Sequence, residues 1–132
     1  MKKRWMLAGI TALLALLLCA CGRGNADHVY LNLPENSRYT RSEILDAMDE
    51  VCHTFEKGFR GCTLTALTYD ETRTLRESGE KGEDVMVLLA TFETGPSGGD
   101  GSLDPNDTYT NYQWFLSRSP KGGWTVTDWG YG

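Results

Sequence analysis

The sequence predicts an α+β domain in which one long amphipathic helix packs on an antiparallel sheet of four to five strands. Three observations lead there. Between Thr40 and Phe59 the apolar residues recur with a period of 3.6. From Cys62 onward the chain reads as strands separated by Gly- and Pro-containing turns. At 132 residues there is room for one such domain, and none for a multidomain enzyme or a large barrel.

The helix is expected over 41–57. Thr40-Arg41-Ser42-Glu43 fits a capping box, in which the hydroxyl accepts an orphan amide and Glu43 reaches back to the cap. Tyr39 and Ile44 supply the matching hydrophobic staple. Ile44, Leu45, Met48, Val51, Cys52, Phe55 and Phe59 then form one stripe, opposite Glu43, Asp46, Asp49, Glu50, Glu56 and Lys57. Gly58 and Gly61 offer the stop.

The strands follow in order. Cys62 to Tyr69 is rich in Thr and alternates loosely. Asp84 to Phe92 carries the run Val85-Met86-Val87-Leu88-Leu89-Ala90, apolar on both faces and therefore central. Tyr109 to Ser117 places Tyr112, Trp114 and Leu116 on one face and Asn111, Gln113 and Phe115 on the other. Pro120-Lys121-Gly122-Gly123 turns the chain into the partner strand Trp124 to Trp129. Residues 28–33 are a candidate edge strand. Glu71 to Gly82 reads as a solvated helical turn or a long connection, and Gly95 to Asp107 as a loop longer than a hairpin needs.

Ahead of the domain, Lys2, Lys3 and Arg4 precede the uncharged run from Trp5 to Leu18. The run is shorter than the ~20 apolar residues of a stable span, so it reads as a secretory signal. Leu18-Cys19-Ala20-Cys21 resembles the bacterial lipobox. That resemblance implies diacylglyceryl transfer to the Cys21 sulfur, cleavage before Cys21 and acylation of the new amine. Cys19 would place bulky Leu18 at the cleavage position, so Cys21 is the preferred acceptor. The chain then divides into a signal peptide (1–20), a lipid-anchored tether with the candidate edge strand (21–38) and a single α+β domain (39–132). Two or three acyl chains hold a protein on a membrane where one would not. The expected localisation is the extracytoplasmic face of the cell membrane, with Arg23-Gly24-Asn25-Ala26-Asp27 as a short polar tether.

Three of the 13 Lys and Arg leave with the signal, so ten cations face 18 acids and the net charge falls from −5 to −8. A protein built around a nucleic-acid surface needs a basic face, so no nucleic-acid partner is expected. Nor is a cofactor indicated by any motif.

Several residues are candidates for chemistry. Cys52 and Cys62 are the thiols left once Cys21 is acylated. In an oxidising compartment they form either a disulfide or two buried small hydrophobes. Cys52-His53 suggests a nucleophile and base, but adjacent helix positions point about 100° apart and no orienting third residue follows. His28 and His53 lack zinc-ligand spacing. Asp100, Asp104, Asn106 and Asp107 gather oxygen donors suited to Ca²⁺, without the Gly and closing Glu of the helix-flanked calcium loop; successive turns held by side-chain-to-backbone bonds are the simpler reading. Asn106-Asp107-Thr108 matches a glycosylation acceptor, which a bacterial lipobox makes irrelevant. Trp114 and Trp124 are expected to face the helix. Trp129 and Tyr131, with Asp128 between the last strand's aromatic residues, are the candidate binding residues.

The order of helix, Gly61–Thr65 strand, apolar strand, Gly98–Tyr109 loop, Trp114 strand and Trp129–Gly132 terminal segment resembles an uncharacterised family of small lipoproteins from Gram-positive anaerobes. By element order that family is similar to the cystatin-like and nuclear-transport-factor-like folds, which implies a curved sheet wrapping the helix. Larger members of those folds have three helices where this sequence shows one. No catalytic set is identified. The expected function is a surface-tethered, non-enzymatic binding or assembly module with a protein or cell-envelope ligand. The alternatives are a small hydrolase or isomerase using Asp128 as general base in a sheet-lined cavity, and an inhibitor or immunity-like protein that occludes a secreted partner.

Overall fold

The structure, a computed structural model, describes residues 23–131. The expected signal peptide and the candidate lipidation site Cys21 lie outside the described residues. Five strands and two helices alternate as β1 (Tyr30–Asn32), α1 (Arg41–Gly58), β2 (Thr63–Tyr69), α2 (Glu71–Lys81), β3 (Val85–Glu93), β4 (Thr108–Arg118) and β5 (Trp124–Gly130). The strands form one sheet in the order β1-β2-β3-β4-β5, which puts the apolar β3 at its centre.

The expected α1 is present with its cap and staple. The Thr40 side chain accepts from the Glu43 amide at 3.2 Å, and Tyr39 and Ile44 are both buried. Glu43 does not close the box; its carboxylate lies 3.5 Å from Arg118. Ile44, Met48, Val51 and Phe55 pack with Leu64, Leu67, Met86, Leu88, Phe92, Trp114 and Leu116 in one core, all at or below about 1% exposure. Trp124 joins the same core, as the alternation predicts.

Two expectations about the architecture are corrected. The sheet is mixed, because β1 runs parallel to β2, with Tyr30 opposite Ala66 and Asn32 opposite Thr68. α1 carries the chain back to the end where β1 began, and a crossover of that kind pairs its flanking strands parallel. There are also two helices rather than one. Asp70 caps α2 by accepting from the Arg73 amide at 2.8 Å, and Gly82, at φ 66°, closes it with a bond to the Ser78 carbonyl.

α2 stands where β2 has run out. The first residues of β3 have no strand on that side, and their backbone groups are satisfied from the helix. The Asp70 amide donates to the Val87 carbonyl (3.2 Å), the Val87 amide to Thr74 Oγ1 (2.9 Å), and the Val85 amide to Ser78 Oγ (3.1 Å), which itself donates to the Val85 carbonyl (2.9 Å). Residues 70, 74 and 78 follow the i, i+4 spacing of one helix face. Thr74 is fully buried in consequence.

The polar tether expected at 23–27 is not a tether. The Gly24 amide donates to the Glu56 carbonyl (2.9 Å), the Asn25 amide to the Cys62 carbonyl and the Leu64 amide to the Asn25 carbonyl (both 2.8 Å). Asn25 thereby pairs with Thr63, extending the β1 edge along β2. Arg23 adds an ion pair with Glu56 at 3.4 Å. Gly24 is buried so closely that a Cβ there would lie 2.6 Å from the Phe55 carbonyl oxygen and 2.8 Å from that of Phe59. Among the described residues, the packed part of the chain therefore includes Arg23–Asn25.

Candidate functional site

β2 and β4 begin, and α1, β3 and β5 end, at the same pole of the molecule. The aromatic residues gather there. Phe59, just past the end of α1, is their hub: its ring meets those of Phe55 (4.8 Å), Trp114 (5.4 Å), Phe92 (5.5 Å), Trp129 (6.0 Å) and Tyr112 (6.1 Å). Tyr109 stacks on Phe92 at 5.0 Å and on Tyr131 at 5.6 Å. The group runs without a break from the closed core to solvent, where Trp129 is 43% and Tyr131 61% exposed. Tyr109 can join because β4 carries an extra residue between Tyr112, opposite Ala90, and Tyr109, opposite Phe92. Asn111 sits in this bulge with φ 54°.

Beside Trp129 lies a shallow cleft of about 160 Å³, lined among others by Phe59, Gly99, Asp100, Leu103 and Tyr112. An open groove adjoins it, with Lys57, Arg60 and Gly101 on its walls. The Gly95–Asp107 loop forms the far side of both, and it is built rather than loose. Asn106 and Gly98 amides both donate to the Gly95 carbonyl, the Leu103 amide to the Gly98 carbonyl, and Thr94 Oγ1 to the Asp104 carbonyl. Gly98 is required here: its φ is 64° and a Cβ would collide with the Leu103 carbonyl.

The candidate residues fall as follows. Asp128 does not share the face of Trp124 and Val126. β5 bulges, so that Val126 lies opposite Leu116 while Asp128 lies opposite Phe115. Asp128 is exposed and its carboxylate accepts from the Trp129 amide at 2.9 Å. Asp100 is likewise engaged locally, by the Ser102 amide and hydroxyl, which hold its carboxyl below the usual range. The Asp107 carboxylate accepts from the Thr108 amide. Among the described residues no three His, Cys, Asp or Glu side chains gather in a way that could hold a metal ion.

Cys52 and Cys62 are both free thiols. Burial, reinforced by Asp49 and Glu56, pushes the Cys52 thiol up to about 11. A nucleophilic cysteine needs the opposite shift. His53 turns away to Asp49, at 3.7 Å on the exposed side of α1. Cys62 is buried, chiefly by which its own thiol is pushed up as well, and its Sγ lies 3.7 Å from the Arg60 carbonyl oxygen.

At the opposite pole the structure assembles a charged cluster that sequence reading did not anticipate. Asp84 accepts from Arg38 (3.2 Å), Tyr39 Oη (3.1 Å) and Arg118 Nε (3.1 Å). The Arg118 guanidinium also lies 4.7 Å from the centre of the Trp124 ring and 5.6 Å from that of Tyr39. Hydrogen bonds from Arg38 foremost, then Arg118 and Tyr39, outweigh partial burial and hold the Asp84 carboxyl below its usual range. The cluster joins three segments distant in sequence, a structural clasp whose members have no common spacing to betray it.

No family model, curated protein or solved structure matches this chain.

Proposed function

We propose that the protein is a bacterial lipoprotein, anchored through acyl chains on Cys21 at the extracytoplasmic face of the cell membrane, that acts as a non-enzymatic binding or assembly module. The lipobox and the family resemblance support the anchor. The observation that carries the binding reading is the continuous aromatic group that rises from the core and ends in exposed Trp129 and Tyr131. Large aromatic rings left in solvent beside a shallow cleft suit contact with a partner surface better than enclosure of a small substrate.

The hydrolase or isomerase reading asks for a buried carboxylate with a raised pKa in a cavity between helix and sheet. That interface is filled by fully buried side chains, and Asp128 is exposed and engaged with its neighbour's amide. The inhibitor reading shares the exposed aromatic surface and differs only in its partner.

Photo-crosslinking in the native membrane tests the proposal. A photoreactive aromatic residue at position 131 is expected to form an adduct with a membrane component that is absent when the same residue replaces Lys121 in the turn at the other pole. A purified domain that turns over a cell-wall or peptide substrate, with the activity abolished by Asp128→Asn, contradicts it.

A further inference from the structure

We infer that the aromatic pole is the membrane-facing surface of the anchored protein, with the rings of Trp129 and Tyr131 seated in the lipid–water interface. The inference rests on the anchored reading above and gives its binding surface a partner: the bilayer itself.

The first argument is one of reach. The backbone is fixed to the domain from Arg23 onward, by the Gly24 and Asn25 bonds to Glu56 and Cys62. Only Gly22 separates Arg23 from Cys21, and the two Cα-to-Cα steps that join them span at most about 7 Å. Acyl chains on Cys21 thus leave the domain almost no slack. Whatever surface surrounds Arg23 must lie against the headgroups.

The second argument is what that surface carries. Asn25 bridges to Thr63 at the start of β2, and Tyr131 lies against Tyr109 at the start of β4. Both belong to the same end of the sheet. From the Asn25 edge to β5 is four strand spacings, about 19 Å, so the anchor and the last strand open onto the same end of the sheet. Phe59 links the two: its carbonyl oxygen lies 2.8 Å from where a Cβ on Gly24 would sit, and its ring meets that of Trp129. Trp and Tyr are the side chains whose rings settle at headgroup depth, apolar body inward and polar tip outward.

Charge sets the lipid class. Lys57 and Arg60 border the groove at this pole, and among the described residues neither is in an ion pair. They suit headgroup phosphates. Asp100, Asp104 and Asp107 in the neighbouring loop offset them, so the contact is with zwitterionic lipid and needs no anionic lipid.

The test uses the full acylated chain in phosphatidylcholine vesicles, with or without lipids brominated close to the headgroup. Flotation reads anchoring, and quenching of tryptophan emission reads orientation. The expected result is co-flotation with partial quenching that Trp129→Phe abolishes, since Trp114 and Trp124 are buried. Tyr131→Trp should add quenchable emission and Lys121→Trp emission that is not quenched. A chain that floats but is unquenched, or whose quenching survives Trp129→Phe, overturns the orientation and leaves the anchor standing. A chain that does not float removes the anchored reading itself. Burial of Trp129 that appears only when membrane proteins are added assigns the pole to a protein and overturns the lipid contact.

Discussion

Gly24→Ala tests the docked start of the domain. Its Cβ would sit 2.6 and 2.8 Å from the carbonyl oxygens of Phe55 and Phe59 and 3.1 Å from the Phe55 ring. The first two are backbone atoms at the end of α1, with no rotamer through which to escape. The segment must therefore lift away and give up three short hydrogen bonds, from Gly24, Asn25 and Leu64 amides, at 2.8 to 2.9 Å. At about 1 kcal/mol net each, the loss is about 3 kcal/mol. Freed conformational entropy of the released residues returns part of it, leaving about 2 kcal/mol. In a domain of this size that lowers Tm by about 10 °C. Amide hydrogen exchange gives the sharper reading: the Asn25 and Leu64 amides should lose protection while those of β3 and β4 keep theirs. If Gly24→Ala leaves both the Tm and these two amides unchanged, the segment is not docked as described, and the short reach from the anchor to the domain has no basis.

Three other outcomes follow from the structure. Thr74→Val keeps the shape of a buried side chain but removes the oxygen that accepts from the Val87 amide; denaturant titration should show a loss of about 1–3 kcal/mol, and an unchanged midpoint would contradict the role given to α2. Asp84 has a folded pKa held below its unfolded value, so its contribution to stability is present above the unfolded carboxylate pKa of about 3.9 and is lost as pH falls through the depressed folded value. Asp84→Asn should accordingly lower the denaturant midpoint at neutral pH and converge with the parent chain in strong acid; a gap that persists undiminished in acid would refute the assignment. With its thiol pushed up to about 11, Cys52 should react slowly with alkylating reagents at neutral pH and faster as pH rises, and rapid neutral labelling of that residue by mass-resolved peptide mapping would contradict its placement.

Much of the framework was legible because it is written in side-chain periodicity. The stripe from Ile44 to Phe59 needed only a helical period, and the run Val85–Ala90 announced a strand covered on both faces. What escaped was carried by the backbone or by polar groups. α2 buries Thr74 and leaves Leu75 about half exposed, so it has no apolar stripe, although Asp70 and Gly82 were usable cap signals. The docking of Arg23–Asn25 rests on main-chain bonds, which any sequence could make; only the small size of Gly24 marked the site. Parallel pairing of β1 is a consequence of topology rather than composition.

The candidate site was legible as a collection of aromatic residues but not as a surface. Alternation correctly placed Trp114 and Trp124 toward the helix, whereas the bulges at Asn111 and between Val126 and Asp128 broke it elsewhere. The second of these turned Asp128 to the other face, and with it went the geometric basis for a general base. The clasp around Asp84 joins residues 38, 39, 84 and 118, and only the folded chain brings them together.

The anchor at Cys21 is the claim beneath both the function and the orientation, and the intact mass of the chain purified from its membrane tests it most directly. The account predicts a polypeptide that begins at Cys21, lacks residues 1–20 and carries diacylglyceryl on that sulfur. An intact leader, or a free thiol at position 21, would contradict it.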